Sequence, residues 1–418
     1  MPFYKTHEST SARAERPFAL LREGPYFRVW LTGGLANTMR WLEMLAVGVY
    51  VFDKTASPLI VALVLFCRLA PMTLFGATLG ALAERMNKKH ILLFGLGGVA
   101  AVSSTLAVLL IMDMAEIWHL ALGGVVSGFL VAMDYPVRRN IIGEICGVER
   151  VRAGMALDAT TNNFTRMLGP PLGGLLLEII GLHGAFILGA VLHGVAIILI
   201  VGMSYEPAPR ELIQKNFFAQ ILEGFGYIRT QRTIIAILMI TIIFNLFAIP
   251  FASMLPVIGK AELGLSAFPI GVLAAADGAG GLVGSIMIAL WRTNRITQVL
   301  FFGPIIYLAF VLLFSISTWY ALSVFLLFIA GFGFAGFEVG QSTLIFTQPN
   351  PELRGRVMGL LSMTIGLQPL GVLHVGLLAD FFGGSTAITI ITTEGLIVIG
   401  LCGLLWPGMR RHENLPVP

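Results

Sequence analysis

Long apolar runs separated by short polar breaks dominate the chain. Twelve runs, each near the roughly 20 residues a helix needs to cross a bilayer, fall at 27–52, 59–83, 90–112, 118–137, 154–180, 184–203, 234–257, 267–291, 298–316, 320–346, 357–381 and 386–407. The runs are continuous rather than alternating. In lipid the backbone must satisfy its own polar groups, which helices do within one segment. The pattern therefore predicts an all-α integral membrane protein with twelve transmembrane helices. Composition agrees: 56% of the 418 residues are apolar and 12% are charged, against about 25% charged in a soluble domain. A soluble globular enzyme is excluded on that ground. The first apolar run is too long for a signal-peptide core and has no small-residue cleavage site after it, so it is read as retained. Cys67 and Cys402 sit in apolar runs and Cys146 in a short polar break, so no disulfide framework is implied.

Charge sets the orientation. With the N-terminus placed in the cytoplasm, twenty-two of the 27 Lys and Arg fall in inner segments, Lys54 and Lys260 fall outside, and Arg40, Arg68 and Arg166 lie within spans. This asymmetry predicts cytoplasmic N- and C-termini. It also accounts for the net charge of +4 without a nucleic-acid partner. Five of the six Trp (30, 118, 291, 319 and 406) lie at span ends, as interfacial belts require; Trp41 is the exception.

The longest polar stretch, Ser204 to Arg232, divides the spans six and six. The expected organisation is a cytoplasmic segment 1–26, a six-helix bundle 27–203, a linker 204–233, a second bundle 234–407 and a cytoplasmic tail 408–418. The linker segment Leu212 to Tyr227 reads equally as an amphipathic helix on the membrane surface and as a plain tether. The halves also resemble each other at an offset near 203. Gly174-Leu-Leu-Leu-Glu178-Ile-Ile-Gly181 matches Gly376-Leu-Leu-Ala-Asp380-Phe-Phe-Gly383, Met155-Ala-Leu157 matches Met358-Gly-Leu360, Gly76-x-x-x-Gly80 matches Gly280-x-x-x-Gly284, and Asp134 falls opposite Glu338. Parallel repeats related by an axis along the membrane normal are a transporter architecture.

After span two comes Gly80-Ala-Leu-Ala-Glu84-Arg85-Met-Asn-Lys88-Lys89, with charge signs matching the loop 2–3 signature of the major facilitator superfamily, although Glu84, Asn87 and Lys88 replace its usual Asp, Gly and Arg. Span five carries Arg166-Met-Leu-Gly169-Pro170-Pro171-Leu-Gly173-Gly174, similar to the antiporter signature of drug exporters, and Pro351-Glu-Leu-Arg354-Gly355-Arg356 precedes span eleven. The whole chain resembles that superfamily, and within it the transmembrane secretion effector or third drug:proton antiporter group, which includes the enterobactin exporter. The resemblance implies two pseudo-symmetric six-helix bundles and proton-coupled efflux across a bacterial inner membrane. It also implies a central cavity lined by spans one, two, four, five, seven, eight, ten and eleven. It makes Gly80, Glu84, Arg85, Lys88 and Lys89 a latch between conformations, with Asp134 and Glu144 as acidic partners; a charge cluster that only fixes topology is the competing reading. Asp134 and Glu338 are read as gate residues. Gly169, Pro170, Pro171, Gly173 and Gly174 read as a hinge or as a tight packing bend, since two prolines remove two backbone donors.

A charge at mid-bilayer costs at least about 2.5 kcal/mol on insertion scales and is a functional candidate by default. Arg40, Glu43, Arg68, Arg166 and Asp277 are such charges, all on spans that line the cavity in the implied fold. Arg40 and Glu43 are i, i+3 on one helix face. One reading makes Arg40, Arg68 and Arg166, with Asn37, Asn162 and Asn163, a site for an anionic or polar substrate group, because the Arg fork takes two oxygens. The other closes Arg40, Glu43, Arg68 and Arg166 into a structural ion-pair network. Asp277 is the first candidate for carrying the coupling proton, no basic residue lying in the second half's spans, and Glu43 is the second.

Gly331-Phe-Gly333-Phe-Ala-Gly336 fits a nucleotide fingerprint but lies inside an apolar span with no strand before it. No Walker A, H-E-x-x-H or G-x-S-x-G motif occurs. The expected protein is a monomeric secondary transporter, not an enzyme, with a small-molecule substrate, protons and the lipid bilayer as partners and no cofactor or metal. Lysophospholipid movement, and a receptor or scaffold role on the same fold, are the rival functions.

Overall fold

The computed structural model describes residues 17–83, 86–205, 231–291, 295–349 and 354–407. No strand occurs among the described residues. Spans one to three are Gly24–Thr55, Pro58–Ala83 and Lys88–Ile111; spans four and five are the two arms of Ile117–Ile179; span six is Leu182–Val201. In the second half span seven runs Arg232–Glu262. Spans eight to ten are Ala267–Trp291, Ile296–Ser315 and Tyr320–Thr347. Span eleven divides into Arg354–Ile365 and Gln368–Phe382, and span twelve is Gly384–Leu405. With six spans in each half, the start of span one and the end of span twelve lie on one face, called here the terminal face; the other is the far face.

Ten of the described helices are long and apolar enough to cross a membrane. The two other spans, one and five, carry Arg40, Glu43, Asp158, Arg166 and several Asn and Thr. They fall short in hydropathy because they spend part of their surface on an interior polar site.

Local chemistry explains most span boundaries. Asn87 caps span three, its side chain accepting from the Lys89 and His90 amides. Gly181 (φ 93°, ψ 178°) and Gly383 (φ 86°, ψ 163°) separate spans five and six, and eleven and twelve. Both sit in the left-handed half of backbone space that favours glycine, and they occupy equivalent places in the sequence repeat. Span seven passes through π turns at Phe244–Ala248 and Ile258–Glu262 and a 3-10 segment at Ile249–Met254. Pro250 and Pro256 interrupt its α ladder by lacking the N–H that each turn needs.

Several expectations are corrected. Cys146 lies inside the helix rather than in a polar break, and only Gly147 (φ 65°, ψ 175°) departs from helical geometry between spans four and five. Pro170 and Pro171 introduce no break; the helix continues through both. Among the described residues a Cβ on Gly76 would meet only its own helix's Met72, so Gly76 itself marks no close crossing. The linker segment Leu212 to Tyr227 and the tail 408–418 lie outside the described residues.

Glycines set the closest crossings. A Cβ on Gly280 would lie 1.9 Å from the Phe328 carbonyl oxygen, and one on Gly331 2.3 Å from that of Asp277, which brings spans eight and ten into backbone contact. A Cβ on Gly333 would lie 2.5 Å from the Gly303 carbonyl oxygen of span nine. The nucleotide-like glycine pattern of span ten is thus a packing stripe, each small residue admitting a neighbouring backbone.

Candidate functional site

At the seam between the halves, the Arg166 guanidinium of span five makes a buried ion pair with the Asp277 carboxylate of span eight. The glycines described above position it. Gly278 lets span eight press against span five, where a Cβ would lie 3.0 Å from the Met167 nitrogen. The guanidinium stacks over Phe334 at 3.8 Å and lies 5.8 Å from the Trp41 ring, with Arg40 5.4 Å from the same ring. The expectation that Asp277 has no basic partner is overturned: no base lies in the second half's spans, but the first half supplies one.

These residues line a cavity of about 160 Å³ between the halves. Arg40, Trp41, Asn162, Asn163, Arg166, Asp277, Tyr307 and Phe334 form its polar and aromatic wall. Met44, Leu65, Ile249, Pro256 and Val372 supply apolar surface. Asn163 donates to Glu338 of span ten at 3.4 Å, a second polar contact across the seam. Asn37 is buried outside this wall. Trp41, Tyr307 and Phe334 were absent from the sequence-derived candidates. For Trp41 the signal was present, as it is the one Trp away from a span end.

Glu43 and Arg68 are elsewhere. They pair with each other at 2.9 Å inside the first bundle, and Ser103 donates to the other Glu43 oxygen at 3.4 Å. Gly128 holds Arg68 in place: a Cβ there would lie 2.1 Å from the Arg68 carbonyl oxygen. The pair borders a separate pocket of about 20 Å³, divided from the central cavity by Met44 and Leu65, which line both. The local Arg40–Glu43 pairing and the closed network of four charges are therefore corrected: Glu43 takes Arg68, and Arg166 takes Asp277. Replacing Arg68 with Met strands a buried carboxylate, and breaking such a pair costs about 3–5 kcal/mol. The expected result is a large fall in Tm that Glu43→Gln restores, with substrate affinity little changed in the double variant; thermal unfolding and binding measure the two.

On the terminal face, Glu144 pairs with Lys88 and also accepts from Tyr205. Lys89 donates to the carbonyls of Val201 and Met203 at 2.9 and 2.8 Å. Asp134 lies 3.5 Å from Arg138 of its own span, and the fully buried Arg138 also bonds Asp158 at 3.1 Å. All these contacts are within the first half. Gly80 lies on the span-two helix, while Glu84 and Arg85 are outside the described residues. The glycines of span five serve packing. Cβ atoms on Gly169 and Gly173 would lie 2.6 Å from Trp41 Cβ and 2.4 Å from the Leu42 carbonyl oxygen.

The halves meet tightly on the far side. A Cβ on Gly174 would lie 2.3 Å from the Ala267 carbonyl oxygen, and one on Gly271 2.5 Å from that of Pro170. Glu178 accepts from the Phe268 amide at 2.8 Å, Asp380 accepts from Ser57 Oγ at 3.2 Å, and Lys260 pairs with Asp53 at 3.0 Å. Pro171, Met167, Phe164 and Thr160 share one stripe of span five. Its far part packs on span eight, whereas Phe164 and Thr160 toward the terminal face are exposed. Spans five and eight are thus in backbone contact on the far side of Arg166, and Thr160 and Phe164 on its terminal side are exposed.

The profile of the transmembrane secretion effector family matches residues 15–411. The chain belongs to that family. The chain is 20% identical over 367 residues to macrolide efflux protein A of Streptococcus pyogenes, covering 86% of this chain and 90% of that one. It is 21% identical over 365 residues to the staphyloferrin A transporter of Staphylococcus aureus, covering 82% and 86%. In fold it is similar to the nucleoside transporter NupG, with a TM-score of 0.70, 13% identity and coverage of 93% and 99%. A bacterial homologue of the human lysosomal transporter Spinster, in an inward-facing and unoccupied conformation, gives 0.67 at 14% identity, covering 92% and 96%. The protein is thus a multi-pass membrane transporter of the major facilitator fold.

Proposed function

We propose that the protein is a proton-coupled exporter of a small amphipathic molecule, working by alternating access from a bacterial inner membrane with both termini in the cytoplasm. The observation that carries this reading is the Arg166–Asp277 pair: opposite charges from opposite halves, on the wall of the cavity between them. The efflux proteins among its relatives support the direction, and the inner-segment excess of Lys and Arg supports the orientation. A proton arriving at Asp277 neutralises one partner, frees Arg166 and weakens the seam between spans five and eight. A polar substrate group beside Arg166 biases the same seam. Substrate and proton thereby act on one two-state element, which is the requirement for coupling. Lys88 and Lys89 satisfy themselves within the first half while the cavity faces the terminal side, and Arg40, Asn162 and Asn163 complete the substrate wall. The test is transport in proteoliposomes under an imposed pH gradient, screened over cationic, anionic and neutral amphiphiles. Asp277→Asn is expected to bind substrate but lose gradient-driven accumulation. Undiminished pH-driven transport in that variant removes Asp277 from the coupling role.

A further inference from the structure

The outer surface of the second half carries two ionisable side chains that neither the cavity nor the seam between the halves uses. His374 of span eleven and Glu394 of span twelve face each other, Nε2 to Oε2, at 3.8 Å. His374 lies eight residues before the end of span eleven at Phe382, and Glu394 ten residues after the start of span twelve at Gly384. At 1.5 Å per residue both stand about 12–15 Å below the far face, near the middle of a hydrocarbon core about 30 Å thick. They point outward. Val372 marks the cavity side of span eleven, and two residues on, at about 100° each, His374 is on the opposite side. It shares a stripe with the exposed Leu370, Leu377 and Phe381, and Glu394 shares one with the exposed Ile397 and Leu401. The two side chains are 41% and 40% exposed.

Ionisable groups are rare on a lipid-facing surface at that depth, because neither water nor headgroups reach them. The pair does not satisfy itself. A gap of 3.8 Å exceeds hydrogen-bond length, neither side chain has a hydrogen bond among the described residues, and Glu394 Oε2 is buried without one. Nor does the fold ask for the pair. The repeat that matches Gly174 with Gly376 and Gly181 with Gly383 sets Leu172 against His374 and Leu192 against Glu394. The first half builds the same surface with leucine.

We propose that His374 and Glu394 are the centre of a homodimer interface along spans eleven and twelve, in place of the monomer expected from the sequence. Geometry and charge name the occupant. A lipid tail brings no polar group, and a headgroup lies about half a bilayer away. A second copy brings both groups at the right depth. The two side chains stand side by side, so a two-fold axis along the membrane normal sets His374 of each copy against Glu394 of the other. Such an interface is isologous, each contact occurring twice. The covered Oε2 stays with its own histidine, and the outward contact falls to the other carboxylate oxygen and the partner's imidazole. One of these groups donates and the other accepts, whichever of the two holds the proton. The flanking leucine and isoleucine side chains pack against their counterparts.

The test uses the full-length chain in lipid vesicles. Copies are fused to one of two fluorescent proteins, and association is read by energy transfer as the protein is diluted in lipid. The parent is expected to associate. His374→Glu alone and Glu394→His alone set like against like at both contacts, and each is expected to weaken self-association by about tenfold or more, two contacts between helices being lost. A mixture of these two variants restores opposites at both contacts and is expected to associate as the parent does. A pair that serves only its own copy gives no such rescue. His374→Leu with Glu394→Leu, which copies the first half's surface, is expected to keep the parent's Tm and stay apart. A parent that is monomeric at every dilution overturns the interface, as does parental association of the double variant. A mixture that fails to associate while each of its members keeps the parent's Tm overturns it too.

Discussion

Replacing Arg166 with Gln abolishes transport and destabilises the protein by about 3–5 kcal/mol, the usual cost of removing one partner of a buried ion pair. The size of the effect follows from where the pair sits. Asp277 is 4% exposed and its other oxygen has no partner among the described residues, so losing the guanidinium strands a buried charge. Gln cannot replace the positive charge or the guanidinium's stacking on Phe334. Neutralising the partner as well separates structure from function. Arg166→Gln with Asp277→Asn regains most of the stability, because no buried charge remains, yet still fails to couple. Thermal unfolding in detergent and proteoliposome flux measure the two arms. A double variant that transports against a pH gradient shows that the pair only holds the bundles together.

Replacing Gly271 with Val traps the cavity open to the far side. The new Cβ would stand 2.5 Å from the Pro170 carbonyl oxygen and 2.7 Å from Pro171 Cα. Both are backbone atoms that cannot move aside, and two prolines stiffen that turn of span five. Overpacking of this kind costs about 1–3 kcal/mol, and the cost falls only on the state in which spans five and eight touch. A bias of that size moves a two-state equilibrium by about tenfold or more. Labelling of Thr160→Cys from the terminal face is expected to fall accordingly, with transport lost. Labelling and flux both at parental levels contradict the closed far seam described above.

Much of the architecture was legible in the residues. Continuous apolar runs give the spans. The repeat at an offset near 203 matches Gly181 with Gly383, which share one backbone conformation. The site was legible only as a list. Arg166 and Asp277 lie 111 positions apart, and nothing local says that span five faces span eight. Arg40 and Glu43 looked like partners because helical spacing is visible in a sequence; Glu43 turns instead to Arg68 because Gly128 brings span two close. The Gly-Pro-Pro segment looked like a kink because proline breaks isolated ladders. Here the helix continues through both prolines, with Gly169, Gly173 and Gly174 admitting close neighbours. Trp41 carried its own signal, an aromatic belt residue in the wrong place, whereas Phe334 and Tyr307 are ordinary apolar-run residues until the fold gathers them.

The account turns on two bundles that rock about the cavity. Its most direct test is a distance measurement across the far face, between spin labels at Thr55→Cys and Phe382→Cys in proteoliposomes. The account predicts a short distance at rest and a second, longer population that grows when substrate and a pH gradient are applied. A single unmoved distance in a preparation that is actively transporting contradicts it.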